Sequence, residues 1–177
     1  MKRNSVNKTV KVGVLAAIAY LLQMLGSVMG LKVAGFLEIE FSDLPALIGT
    51  MAIGPVGGVM IELIKNLLHC LSTSTGFVGE LANFIVNGIF VLTAGVIYRH
   101  IHSRRGAAIG MGAGVLVMTL AGVAANLFIM LPLYMPDAPQ SVLLGLALST
   151  IAPFNLCRGA VLSVIMFLCY KKMRTFI

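Results

Sequence analysis

Four polar side chains follow one face of a segment that is otherwise apolar. Between Gly57 and His69 the polar residues are Glu62, Lys65, Asn66 and His69. Their spacing of i, i+3, i+4 and i+7 places all of them on one face of an α-helix. At a bilayer centre a Glu or Lys costs about 2.5–3.5 kcal/mol, and each Leu, Ile or Val recovers only about 0.3–0.6 kcal/mol. This face must therefore line a protein interior or a wet cavity, where it can bind a polar ligand, move a proton through Glu62, or hold Glu62 and Lys65 as a structural pair.

Further polar side chains occur in apolar segments later in the chain. Most are amides, and an amide offers both a donor and an acceptor, which suits a neutral heterocycle with imide and carbonyl groups. For any single asparagine, a structural hydrogen bond between helices is the alternative. The residues that we predict to bind a substrate are Lys65, Asn66, Glu80, Asn83, Asn126, Asn155 and Arg158.

The composition is that of an integral membrane protein. Of the 177 residues, 59% are hydrophobic and only 11% are charged, and the mean hydropathy is +1.00. A soluble domain has about 45–50% apolar and about 25% charged residues. The apolar runs have the length of membrane-spanning helices and lack the short alternating segments of a β-barrel. We therefore predict an all-α integral membrane protein with a single membrane domain over residues 1–177.

Six transmembrane helices account for the apolar runs. The predicted spans are roughly 10–29, 43–54, 56–71, 79–98, 107–131 and 141–170. The second and third spans form a tight hairpin at Gly54-Pro55, with Ser42 or Asp43 as the N-cap of the second helix. Both are short for a bilayer, so we expect them to be tilted or partly covered by the segment from Met29 to Phe41, a candidate outer lid or ligand-contacting loop.

Basic residues predict the orientation of this bundle. With both termini in the cytoplasm, ten of the thirteen Lys and Arg residues lie on the inner side, at the two ends of the chain and in the loop after the fourth span. The predicted binding residues then converge on an outward-facing zone of a multi-pass cell-membrane protein. Because most of the cations lie at the chain ends and in one loop and form no patch interleaved with aromatics, the net charge of +7 does not indicate nucleic-acid binding.

Local sequence features add further expectations. The first span leads directly into others without a cleavage site, so we expect it to be retained. The glycines Gly110, Gly112 and Gly114 predict a face for close helix packing, and Pro153 should break the last helix in front of Asn155. The cysteines show no metal-ligand spacing and no pairing pattern. No cluster of nucleophile and base or of metal ligands is present in the sequence, so we expect neither an enzyme nor a bound cofactor or metal.

Six motifs occur along the chain: Glu40-Phe-Ser-Asp-Leu-Pro-Ala, Gly54-Pro-Val-Gly-Gly, Glu62-Leu-Ile-Lys-Asn-Leu-Leu-His, Gly79-Glu-Leu-Ala-Asn-Phe, Asn126 before Leu131-Pro-Leu-Tyr, and Pro153-Phe-Asn-Leu-Cys-Arg-Gly. Together they resemble the riboflavin-specific S components of energy-coupling factor (ECF) vitamin transporters. The resemblance spans nearly the whole chain, with its motifs in the family's order. It implies six helices and a subunit that captures riboflavin, or its phosphate FMN, as cargo near the outer face. It also implies assembly with a membrane coupling protein, the T component, and two ABC-type ATPases.

The resemblance also implies roles for single residues. Asn126, Asn155 and Arg158 would reach the vitamin, together with the region around Glu80 and Asn83. At position 158 we expect lysine in this family, so a planar guanidinium would replace a point contact to the ribityl oxygens.

The first helix would contact the coupling protein through small residues. The candidates in this chain are Gly13, Ala16 and Ala17, because small residues let two membrane helices approach closely. A self-sufficient proton-coupled carrier that uses Glu62 and Lys65 is the alternative function.

Overall fold

The structure of the protein, a computed structural model, is almost entirely helical. The structure describes residues 2–29, 32–33, 37–38, 41–72 and 77–173. Its elements are α1 (Lys2–Met29), β1 (Lys32–Val33), β2 (Leu37–Glu38), α2 (Leu44–Ile53), α3 (Pro55–His69), α4 (Val78–His100), α5 (Arg104–Ala125), α6 (Leu131–Tyr134), α7 (Gln140–Leu146) and α8 (Ala152–Met173). Two π-helical segments, π1 (Asn126–Met130) and π2 (Ala147–Ile151), join α5 to α6 and α7 to α8.

Among the described residues, four helical stretches are long and apolar enough to cross a membrane. They are Val6–Met29, Val78–His100, Arg104–Tyr134 and Gln140–Tyr170. The helices α2 and α3 are shorter, with 10 and 15 residues. Helices therefore lie at all the predicted positions, and the all-α membrane fold is confirmed. Most of the predicted lid lies outside the described residues. Its described part is the antiparallel pair β1 and β2, in which Lys32 faces Glu38 and Val33 faces Leu37.

The predicted hairpin between α2 and α3 depends on one backbone conformation. Gly54 has φ +120°, which a residue with a Cβ rarely adopts. Pro55 then begins α3. The N–H of a first helical residue has no partner within the helix, so proline loses no hydrogen bond there. This turn brings the two short helices side by side, and a Cβ at Gly58 would overlap the Thr50 side chain across their interface.

Close packing of α4 against α5 also depends on glycine. A Cβ at Gly110 would lie 2.6 Å from the carbonyl oxygen of Ala94, and a Cβ at Gly114 would lie 2.8 Å from the Phe90 ring. Gly112 is exposed, with nothing within 4 Å of its Cβ position. The predicted packing face therefore includes Gly110 and Gly114, whereas its extension to Gly112 is wrong because that residue points away from α4.

Pro153 was predicted to break or restart the last helix: the α-helix restarts as α8 at Ala152, but a break in the helical chain is wrong. The chain stays helical from Gln140 to Met173, with π2 immediately before α8. Pro153 has no N–H for the carbonyl four residues earlier, and the wider π turn accommodates its ring. Pro132 follows π1 at the same spacing. In both places a proline therefore reshapes the helix without ending it.

Candidate functional site

Polar side chains gather at one end of the bundle, which we call the polar end: the end of α1, the start of α2, the end of α3, the start of α4, and π1 with the start of α8. His69 connects three of these elements. Its Nδ1 lies 2.9 Å from Glu80 Oε1, and its Nε2 lies 3.4 Å from Ser27 Oγ. His69 and Glu80 are 8% and 5% exposed. The first turn of α4 is thereby held against the ends of α1 and α3.

Deeper in the bundle, Lys65 is fully buried among polar partners. Its Nζ donates to Asp43 Oδ1 at 2.8 Å and to Ser42 Oγ at 3.1 Å, and it lies 2.7 Å from Glu62 Oε2. The pairing of Glu62 with Lys65, one of the interpretations open from the sequence, is thus present. None of the three charged side chains has exposed surface. Such an arrangement satisfies the ammonium group inside an apolar bundle.

Asp43 also binds Arg158, which lies 115 positions further along the chain. Arg158 Nη2 donates to Asp43 Oδ2 at 2.6 Å. One carboxylate thereby ties the start of α2 to α3 and α8.

Asp43 is a functional candidate that sequence reasoning missed. It stands at the N-cap position of α2, as predicted, but its side chain makes no capping hydrogen bond. Charge balance was the available signal, because Lys65 and Arg158 are two cations in apolar segments and Glu62 was the acid predicted to pair with Lys65, which left Arg158 without an assigned carboxylate. A second carboxylate was needed to compensate the charge.

Two of the predicted amides meet at Gly122. Asn126 Nδ2 donates to the carbonyl oxygen of Gly122 at 2.8 Å, and Asn155 Nδ2 donates to that of Ile151 at 3.0 Å. A Cβ at Gly122 would lie only 2.6 Å from Asn155 Nδ2, so the Asn155 amide rests on this glycine. Asn126 is also the first residue of π1. The structure thus brings α5, π1 and α8 together around two amides.

The amides of α3 and α4 form a second set. Asn66 Nδ2 donates to the Glu62 carbonyl oxygen at 2.9 Å, and Asn87 Nδ2 donates to Asn83 Oδ1 at 2.9 Å. Within the described residues, Asn66 Oδ1 and Asn87 Oδ1 are buried acceptors with no hydrogen-bond partner. Such acceptors are uncommon in folded proteins and suit a donor from a ligand or water. Asn87, which is completely buried, was not among the predicted residues.

The predicted binding residues therefore differ in what they can contact. Arg158 retains 10% exposure of its side chain, whereas Lys65 has none. Lys65 thus contacts Asp43 with a fully buried side chain, and its role in ligand binding stays a prediction. In the part of the chain that the structure describes, no group of three or more His, Cys, Asp or Glu side chains could hold a metal ion.

The small residues of α1 point in two directions. Gly13 and Ala17 are exposed, and nothing lies within 4 Å of the Cβ position of Gly13. Ala16 is 1% exposed and belongs to the core with Ala19. The prediction that Ala16 contributes to a partner surface is therefore wrong, because this residue faces the chain's own bundle.

Comparison with known proteins decides the family. The model of the family "ECF transporter, substrate-specific component" matches residues 7–170. The chain belongs to this family. It is 32% identical to the riboflavin transporter RibU of Staphylococcus aureus, over 96% of this chain and 92% of that protein. It is 33% identical to the riboflavin transporter FmnP of Bacillus subtilis, over 97% of this chain and 94% of that protein.

The fold agrees with a solved structure of the same family. The S component of a bacterial ECF transporter superposes with a TM-score of 0.82 at 32% sequence identity, covering 97% of this chain and 98% of the other. The resemblance noted from the sequence motifs is confirmed. Since the family and these relatives are transport proteins, the expectation that the chain is not an enzyme is confirmed as well.

Proposed function

We propose that this ECF S component is the riboflavin-binding membrane subunit of a vitamin uptake transporter. The observation that carries the proposal is the meeting of Asn126 and Asn155 at Gly122, with Arg158 one helical turn beyond Asn155. Two amides can pair with the imide and carbonyl groups of a flavin, and a guanidinium can donate to ribityl oxygens. The names of the relatives support the same ligand. Riboflavin is then cargo and not a cofactor.

The proposed orientation places the polar end outside the cell. Charge supports it, because the opposite end of the bundle exposes Lys8, Lys11, Arg99, Arg104 and Arg105, and cations favour the cytoplasmic side. Six membrane crossings with both termini inside would follow if α2 and α3 cross in tilted form. Release of the vitamin on the inner side requires the T component and two ABC-type ATPases.

Flavin binding is tested most directly on the purified protein. The protein, expressed in riboflavin-containing medium, should carry a visible flavin spectrum in detergent. Ligand released by denaturation should co-migrate with riboflavin or FMN in chromatography, which identifies the species. A colourless protein that also fails to quench the fluorescence of added riboflavin would refute the proposal.

The proposed partner surface includes Gly13 and Ala17 of α1, which are exposed. Ala17→Leu adds bulk where two helices would touch, so the variant should no longer co-purify with the T component, whereas riboflavin binding should persist. Ala124→Leu, the same change at an exposed alanine of α5, is the matched control and should keep the complex. If Ala17→Leu still co-purifies, the interface lies elsewhere.

The geometry gives the proton-coupled carrier less support. A proton-carrying Glu62 needs a carboxyl group that water reaches, and the Glu62 side chain has no exposed surface next to Lys65. The two functions separate in proteoliposomes that contain this chain alone. Uptake driven by a pH gradient would favour the carrier, and flavin binding without uptake would favour the S component.

A further inference from the structure

We propose that Asp43 sets the ligand specificity of this site by neutralising Arg158, so that a neutral flavin is bound in preference to a phosphorylated one. The inference rests on the proposed function and deepens it. It assigns a role to a residue that lies outside the predicted binding set.

The contacts of Asp43 divide its carboxylate between two cations. Oδ1 lies 2.8 Å from Lys65 Nζ, and Oδ2 lies 2.6 Å from Arg158 Nη2. With Glu62 bound to Lys65 at 2.7 Å, the described residues of the cluster include two carboxylates and two cationic groups. Arg158, with 10% of its side chain exposed, is the member that reaches the surface. The Arg158 guanidinium, which a ligand would contact, is therefore already paired with the buried Asp43 carboxylate.

The two flavins differ at the end of the ribityl chain, where riboflavin has a hydroxyl group and FMN a phosphate. A phosphate monoester carries about −1.5 to −2 charges near neutral pH. A free guanidinium would bind it strongly and in a bidentate manner. The buried Asp43 carboxylate already occupies part of the hydrogen-bonding capacity of Arg158. It also repels the phosphate of FMN, because the protein interior screens charges less than water does. Neutral ribityl hydroxyls suffer no such repulsion and can still accept hydrogen bonds from Arg158.

The test compares two dissociation constants in each variant, for riboflavin and for FMN, by titration of flavin fluorescence. Asp43→Asn keeps the shape of the side chain and removes its charge. The ratio of the FMN constant to the riboflavin constant should fall by about tenfold or more, a change of about 1.4 kcal/mol. Asp137→Asn removes one charge from an exposed carboxylate at the same end of the bundle and is the matched control. Its ratio should match that of the parent protein.

Coupling to Arg158 is tested by the double variant Asp43→Asn with Arg158→Gln, which restores the charge balance. Its ratio should return to within about threefold of the parent's, because the inference attributes the effect to the guanidinium. An equal loss of both flavins in Asp43→Asn, an unchanged ratio, or a tenfold shift towards FMN in the double variant would each overturn it.

Folding of the variants is part of the test. If Asp43→Asn cannot be recovered in folded form, Asp43 maintains the fold and does not tune the ligand, which also overturns the inference. A parent protein that binds neither flavin refutes the proposed function itself, whereas a parent that binds riboflavin with an unchanged ratio in Asp43→Asn refutes only this inference.

Discussion

Charged side chains are buried at one end of the bundle and exposed at the other. At the polar end Glu62, Lys65 and Asp43 are completely buried and depend on one another. At the basic end, where α4 ends and α5 begins, Arg99 and Arg105 are exposed to solvent. A buried ion pair is costly to form and costlier to break, whereas exposed charges contribute little to stability. We infer that the polar end has been shaped for ligand recognition and the basic end for orientation in the membrane.

The basic end is held together by packing, a pair of tyrosine hydroxyl groups and a cation–π contact. Tyr98 and Tyr170 join α4 to α8 through their hydroxyl groups, 3.1 Å apart. The Arg104 guanidinium lies 4.4 Å from the centre of the Phe167 ring. Because glycines let α4 and α5 approach closely in this half, its rigidity depends on shape. The expected consequence is that substitutions at the basic end change stability, and those at the polar end change binding.

The largest expected effect concerns the helix contact at Gly110. Gly110→Val introduces side-chain atoms where a Cβ already lies 2.6 Å from the Ala94 carbonyl oxygen, so α4 and α5 must separate. Overpacking of this kind costs about 3 kcal/mol or more, at the upper end of measured cases. In a protein of this size the unfolding temperature should fall by about 6–12 °C. Thermal unfolding of the detergent-purified protein provides the measurement.

Gly112→Val is the matched control, since nothing lies within 4 Å of its Cβ position two residues away. It should leave the unfolding temperature nearly unchanged. If both valine variants lower the unfolding temperature equally, the cause is a general effect of valine on the helix or on its contact with lipid. The close contact between Gly110 and Ala94 would then not limit the packing of α4 against α5.

The second prediction concerns binding at the polar end. Asn155→Leu keeps nearly the same side-chain volume but removes the amide that rests on Gly122. Without this amide, a hydrogen-bonding group of riboflavin has no partner in the buried site. Riboflavin binding should therefore weaken by about 1–3 kcal/mol, or about 5- to 150-fold. The unfolding temperature without ligand should change little. Fluorescence titration and thermal unfolding of the same preparation separate the two effects.

A glycine pair checks the position of that amide. Gly122→Ala places a Cβ 2.6 Å from Asn155 Nδ2 and should displace the amide, whereas Gly145→Ala meets open space. The first variant should bind riboflavin more weakly than the second. Equal affinity in both, or a leucine variant at position 155 that binds as tightly as the parent, would mean that Asn155 does not face the ligand.

The sequence predicted the parts of this site that depend on local spacing. Glu62 and Lys65 are one turn apart on α3, so helical periodicity alone placed them together. The pairing of Asp43 with Arg158 could not be predicted in this way, because 115 positions separate them and their contact depends on how α2 packs near α8. Local composition at Asp43 favoured a helix cap, which is a common role for aspartate.

Local sequence patterns also could not predict which face of a helix is buried, or where the helix is of the π type. Ala16 and Ala17 have the same chemistry, and only the packing of α1 shows that the first is buried and the second exposed. The π-helical segments arise from the demand that a proline ring fit inside a continuous helix, so Pro153 resembled a helix terminator. Hydrophobic run lengths, by contrast, predicted the positions of the helices within a few residues.

The smallest expected effect concerns the tyrosine pair at the basic end. Tyr98→Phe removes one hydroxyl group from a buried pair and leaves the Tyr170 hydroxyl without this partner, at a cost of about 0.5–1.5 kcal/mol. The unfolding temperature should fall by about 1–6 °C, and the affinity for riboflavin should be unchanged. Tyr20→Phe, at a half-buried tyrosine of α1, is the matched control. The double change of Tyr98 and Tyr170 to Phe should cost less than the sum of the single changes, because it leaves no orphaned hydroxyl group. A loss of flavin affinity in Tyr98→Phe would instead show that the two ends are coupled, which would contradict the division of roles between them.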